Sequence, residues 1–129
     1  MRNKRSLSIL LVCLTMAVND EAFAKRLPPT PVTPIPHCGV IYLAPPFIRD
    51  RSGKPLQRGG YIEAHDSKTG KLLWRVRIYK TQYDPRLETD MQDVFITRLS
   101  LEDDTLIVSD EKSRRFRLDL ETRHVTRTR

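Results

Sequence analysis

Cysteine is too scarce for an internal disulfide framework: there are two in 129 residues, Cys13 and Cys38. Cys13 sits in an N-terminal apolar run, so Cys38 is expected to stand alone once that run is removed. Three fates are open to it: burial in a strand beside Val40 and Ile41, a bridge to another chain, or a metal. Histidine is nearly as rare. His37, His65 and His124 fall at no zinc-ligand spacing, so a metal site would need His65 or His124 to come alongside His37 and Cys38. No serine occupies a nucleophile elbow, no glycine loop is built to cradle phosphate, and the paired carboxylates fall in turns. Neither an enzyme nor a cofactor is expected. The apolar run Leu7 to Val18 spans about 12 residues, short of the roughly 20 that cross a bilayer as a helix.

That run does have the order of a secretory signal. Arg2, Lys4 and Arg5 precede it, and it closes on Ala22-Phe23-Ala24, small residues at the two positions a signal peptidase reads. Cleavage near Ala24 is expected, giving a periplasmic or secreted chain with no transmembrane segment left. Val12 before Cys13 does not suit a lipoprotein acceptor. Cleavage leaves 105 residues, enough for one domain, with 20 basic against 14 acidic side chains. The basic residues are scattered, which reads as a solvated face of mixed sign; anionic envelope partners fit the surplus better than nucleic acid.

Five of the nine residues from Pro28 to Pro36 are proline, a density that favours polyproline II. Residues 25–37 are therefore expected to form a spacer, extending about 28 Å if stretched, or a disordered mature N-terminus. From Cys38 the hydrophobic period is two: Leu72, Trp74, Val76 and Ile78 alternate with Leu73, Arg75, Arg77 and Tyr79. Similar runs at 38–44, 61–66, 95–101, 105–109, 115–120 and 124–128 make about seven strands joined by short turns, hence an antiparallel meander over 38–129. Asp84 to Asp93 breaks the pattern. With Asp84 as N-cap, Pro85 at the first helical position and Leu87 to Met91 at i, i+4, it predicts a short helix or ordered loop.

The stretch Gly60-Tyr-Ile-Glu-Ala-His-Asp66-Ser-Lys-Thr69-Gly70-Lys-Leu-Leu-Trp74 resembles the repeat of quinoprotein-type (PQQ-like) β-propellers. There an alanine and aspartate end one strand, a threonine-glycine turn follows, and a tryptophan sits in the next. Asp66, Thr69, Gly70 and Trp74 would be its turn and core residues. A degraded second copy lies 53 residues on, with Asp119 and Thr122 kept, Arg123 in place of the glycine, Arg127 in place of the tryptophan and Arg117 matching Ala64. A non-glycine residue in the left-handed region costs roughly 1 kcal/mol, so the second turn is expected to be of a different type. Two blades cannot close a ring of four to eight. An open or partly wrapped sheet with its own edges is the all-β fold this implies. The resemblance covers quinone-dependent dehydrogenases and noncatalytic scaffolds of outer-membrane assembly; without a ring, the cofactor is not expected.

Arg75, Arg77, Arg115 and Arg117 are expected on a polar face open to water, a candidate basic binding face. Glu63 with His65, at i, i+2, is a possible acid and base pair, of a kind exposed strands carry routinely. The functional expectation is a noncatalytic protein-interaction module of the bacterial envelope, binding another envelope protein or itself. The rival is a ligand- or metal-binding accessory to an envelope enzyme, resting on His37, Cys38 and His65.

Overall fold

A computed structural model describes residues 26–129; the expected signal peptide lies outside them. Eight antiparallel strands form two four-stranded sheets, β1 (Ile35–His37), β2 (Val40–Leu43), β3 (Tyr61–Asp66) and β4 (Leu72–Arg77), then β5 (Ile96–Glu102), β6 (Thr105–Asp110), β7 (Arg115–Asp119) and β8 (Val125–Thr128). In each sheet every strand pairs with its sequence neighbour, and neither sheet closes into a barrel. The fold is all-β, but the meander is broken in two. Between the sheets the chain makes one turn of helix, α1 (Thr89–Gln92).

The strand missing from the sequence reading is β1, inside the expected spacer. Pro36 donates no amide, yet β1 is an edge strand, where a missing donor is tolerated. His37 pairs directly with Val40, so Cys38 and Gly39 are the two central residues of a hairpin, at φ 48° and 75°. Positive φ at both is what a type I′ turn requires. Cys38 is thus exposed at a turn rather than buried in a strand. The rest of the proline segment does not stand off as a spacer: Val32 packs against the core, while Arg26 pairs with Glu111, donates to the Asp93 carbonyl and lies 4.8 Å over the Phe95 ring.

The sheets stack through one apolar layer. Tyr42, Ile62 and Ala64 face it from the first sheet and Leu99, Leu106, Val108, Phe116 and Leu118 from the second. Trp74 borders the layer, half-buried, with its ring centroid 5.8 Å from that of Tyr42. The alternation fails at both ends of β4. A bulge between Ala64 and His65 puts Leu72 opposite His65, and Leu72 and Leu73 stand 41% and 49% exposed. Tyr79 falls on the charged side of the alternation but, as an aromatic, is expected in or near the core with Trp74, Phe95 and Phe116. It lies past the end of β4 and is buried, its ring stacking on Phe116 at 5.4 Å and its hydroxyl donating to the Val94 carbonyl at 2.6 Å. Asp84 does not cap a helix: it accepts the Arg86 amide at 3.0 Å in a turn, and α1 begins only at Thr89.

The expectation of a different second turn is overturned. Asp66 Oδ1 accepts the amides of Lys68 and Thr69, both at 2.9 Å, and Gly70 donates to the Asp66 carbonyl at 2.8 Å. Asp119 Oδ1 does the same for Glu121 and Thr122 at 2.9 Å, and Arg123 donates to the Asp119 carbonyl at 2.8 Å, at φ 63°. The turn is one and the same. The strain at Arg123 is offset by this hydrogen-bond set and by its guanidinium lying 5.2 Å over the Trp74 ring of the other sheet. The bulge also shifts the correspondence: Trp74 stands opposite Ala64 but Thr126, not Arg127, stands opposite Arg117.

Arg117 is exposed because the sheets stack in the same sense. The face of β3 carrying Ile62 and Ala64 looks into the core, whereas the equivalent face of β7, carrying Arg115 and Arg117, looks out. A sheet with one face on the core and the other in water carries polar side chains on the outer one. Replacing Ile62, fully buried in the shared layer, by alanine is expected to cost about 2–5 kcal/mol, read as a lower urea midpoint with unchanged slope.

Candidate interaction site

One feature separates the two sheets. β6 and β7 are joined by four residues, 111–114, whereas β2 and β3 are joined by seventeen, 44–60. The tip of the long connection repeats the short one: Asp50 N to Lys54 O and Gly53 N to Asp50 O (2.9 and 3.0 Å) match Asp110 N to Arg114 O and Ser113 N to Asp110 O (3.2 and 3.0 Å). The excess is therefore an extension of one hairpin, held by the Arg49–Pro55 bridge. Loops this long are uncommon without a role.

The extension returns close to the body. Gly59 sits at φ 69°, and a Cβ there would run into the Val94 carbonyl oxygen. Gln57 ties it down, donating to the Gly59 and Tyr79 carbonyls and accepting the Thr81 amide at 2.8 Å. Between the extension and the outer face of the first sheet lies an open cleft lined by Phe47, Ile48, Arg49, Pro55, Leu56, Arg58, Glu63 and Arg75. On its floor, Arg75 donates from Nε and Nη2 to Glu63 Oε2 at 2.9 and 2.6 Å. Arg58 lies 5.4 Å over the Phe47 ring and 3.6 Å from the buried Asp93. Asp93 also accepts the Tyr83 hydroxyl at 2.7 Å; burial first, then Asp93, pushes that hydroxyl up to about 12. Arg49 meets no carboxylate among the described residues; it donates to the Gly53 carbonyl at 2.9 Å.

The residues singled out in the sequence are not brought to one place. Arg75 and Arg77 lie on the outer face of the first sheet, Arg115 and Arg117 on that of the second, with the core between. The single basic face is thus corrected to two opposed ones, and Arg75 is paired. His37 Nε2 lies 3.2 Å from Asp104 Oδ1 and 3.5 Å from Cys38 Sγ. The two side chains meet because Cys38 is in the turn, not on the opposite strand face. Both contacts use one nitrogen, so the arrangement is no proton relay. His65 is elsewhere: Nδ1 donates to the Gly70 carbonyl at 3.0 Å and Nε2 faces Glu63 Oε1 at 3.4 Å. Among the described residues no three His, Cys, Asp or Glu side chains are arranged to hold a metal ion. Asp66, Thr69 and Gly70 build the turn and Trp74 borders the core.

Phe47, Arg49 and Arg58 escaped the sequence reading. The available signal was the length of the connection and its arginines; what it covers depends on the tertiary fold. Comparison of the chain with protein-family models and with curated proteins yields no match. No described helix is long and apolar enough to cross a membrane.

Two outcomes follow from the turns. Asparagine adopts the left-handed region more readily than cysteine, so Cys38→Asn is expected to raise stability by about 0.5–1 kcal/mol in urea unfolding; destabilisation would contradict the type I′ geometry. The amides of Thr69 and Lys68 hold the Asp66 carboxyl below its ordinary value, and those of Thr122 and Glu121 do so for Asp119. A depressed folded-state pKa gives stability that is present above the unfolded value of about 3.9 and lost as pH falls through the folded one. Carbon-detected NMR titration should show both aspartates titrating below ordinary aspartate, with unfolding midpoints falling over the same acid range.

Proposed function

We propose that this chain is an exported, noncatalytic protein-interaction module of the bacterial envelope, and that its partner adds along the β4 margin. The observation that carries it is an uncovered apolar edge. β4 pairs on one side only, and its first residues, Leu72 and Leu73, are exposed and uncharged. Sheet edges are normally blunted, because unpaired amides and carbonyls invite another strand. Pro36 blunts β1, Arg98 marks β5 and Arg127 marks β8, whereas Leu72 to Trp74, though bulged, carries neither proline nor charge. An edge of this kind suits strand addition, in which main-chain hydrogen bonds supply affinity and alternate side chains supply selectivity.

The noncatalytic part draws support from where the acids are engaged. Asp50, Asp66, Asp110 and Asp119 each accept backbone amides in turns, and Glu63 is paired with Arg75. Export rests on the N-terminal sequence alone. The likeness of residues 60–74 to a quinoprotein-type repeat remains part of the proposal; it draws support from the shared topology and the repeated turn of the two sheets.

The test is a crosslinked capture from the native envelope using wild-type protein and the Leu72→Glu/Leu73→Glu variant. Both leucines are exposed, so the variant is expected to fold. A discrete partner, or a second copy of the chain, should be captured by wild type and reduced about tenfold or more with the variant. Equal recovery with both would rule out the β4 margin.

A further inference from the structure

We infer that the cleft between the extended hairpin and the outer face of the first sheet is a binding site for a carboxylate carried on an apolar body. The assignment is independent of the β4 margin. The long connection is an insertion into a plan the two sheets otherwise share closely, and in proteins built of repeated units such insertions gather on the binding face. Its residues divide into the two halves such a ligand needs. Phe47, Ile48, Pro55 and Leu56 form an apolar wall, and Phe47 is 56% exposed.

The charged half is unbalanced by one. Arg75 is answered by Glu63 and Arg58 by Asp93, which leaves the Arg49 guanidinium with a carbonyl as its partner and no carboxylate among the described residues. One uncompensated guanidinium calls for one negative charge. A guanidinium presents a planar fork of donors that a carboxylate meets with two parallel hydrogen bonds. Arg58, half-exposed and 3.6 Å from its acid, borders the same space and can supply a second donor. Arg75 also donates to the Arg49 carbonyl, at 3.4 Å, so the floor and the hairpin are joined through the residue that carries the free charge.

A free aliphatic acid and the C-terminus of a peptide share this chemistry, and the experiment separates them. The purified protein is titrated, with NMR shifts of Phe47, Arg49 and Glu63 as readout, with octanoate, with N-acetyl-alanyl-leucine bearing a free C-terminus, and with the neutral amide of each. Saturable shifts with either acid and much weaker response to its amide are expected, and the acid that binds names the source. Arg49→Gln, at an exposed position, should fold normally and weaken binding about tenfold or more, as losing a charge-assisted pair does. Phe47→Ala should weaken it while leaving the response charge-dependent. Absence of saturation with both acids at about 10 mM, weaker than any useful affinity, would overturn the assignment. So would equal binding of acid and amide, or Arg49→Gln binding as wild type.

Discussion

The apolar layer between the sheets is the contact on which the rest depends. Ile62 and Ala64 from β3 and Val108, Phe116 and Leu118 from β6 and β7 leave water together, and neither four-stranded sheet has another partner for its inner face. An isolated sheet of this size with one oily face has no stable alternative to stacking. Once the layer forms, the remaining geometry follows. The outer face of the second sheet is committed to solvent and carries arginine; the outer face of the first is committed to the hairpin that crosses it.

Stacking in one sense also explains why the two sheets differ in sequence. Both use the same aspartate turn, with the same donors and nearly the same distances, but the residues between turns answer to different surroundings. Ala64 is apolar and fully buried because it faces the other sheet, whereas Arg117, at the matching position, faces water. Arg123 can replace a glycine at φ 63° because the neighbouring sheet offers the Trp74 ring to its guanidinium. Local strain is thus tolerated where tertiary contact stabilises it.

Polar groups follow the same division of labour. The turn aspartates bind backbone, the Glu63–Arg75 pair joins β3 to β4, and Asp93 collects Tyr83 and Arg58 beneath the hairpin. Two places combine exposure with a setting for a partner: the leucines at the start of an edge strand and the Arg49 guanidinium in a cleft. Those places carry the functional proposals, since a group without an internal partner is where an external one gains most.

The sequence by itself determined the all-β class, the antiparallel connections and the aspartate turn at Asp66 to Gly70, because side-chain alternation and turn chemistry are local; it set the turn at Asp119 apart, since the contact that stabilises Arg123 comes from the other sheet. It did not show β1, hidden among prolines whose edge position makes them tolerable, nor the turn at Cys38, a residue unusual at positive φ. It placed Arg75, Arg77, Arg115 and Arg117 on one face, since alternation says which side of its own strand a residue occupies and nothing about the side the core takes. Only the tertiary structure decided that the meander breaks into two stacked sheets, that the bulge turns Leu72 and Leu73 outward, and that residues 44–60 roof a cleft. These depend on contacts between segments distant in the chain, and no local pattern encodes them.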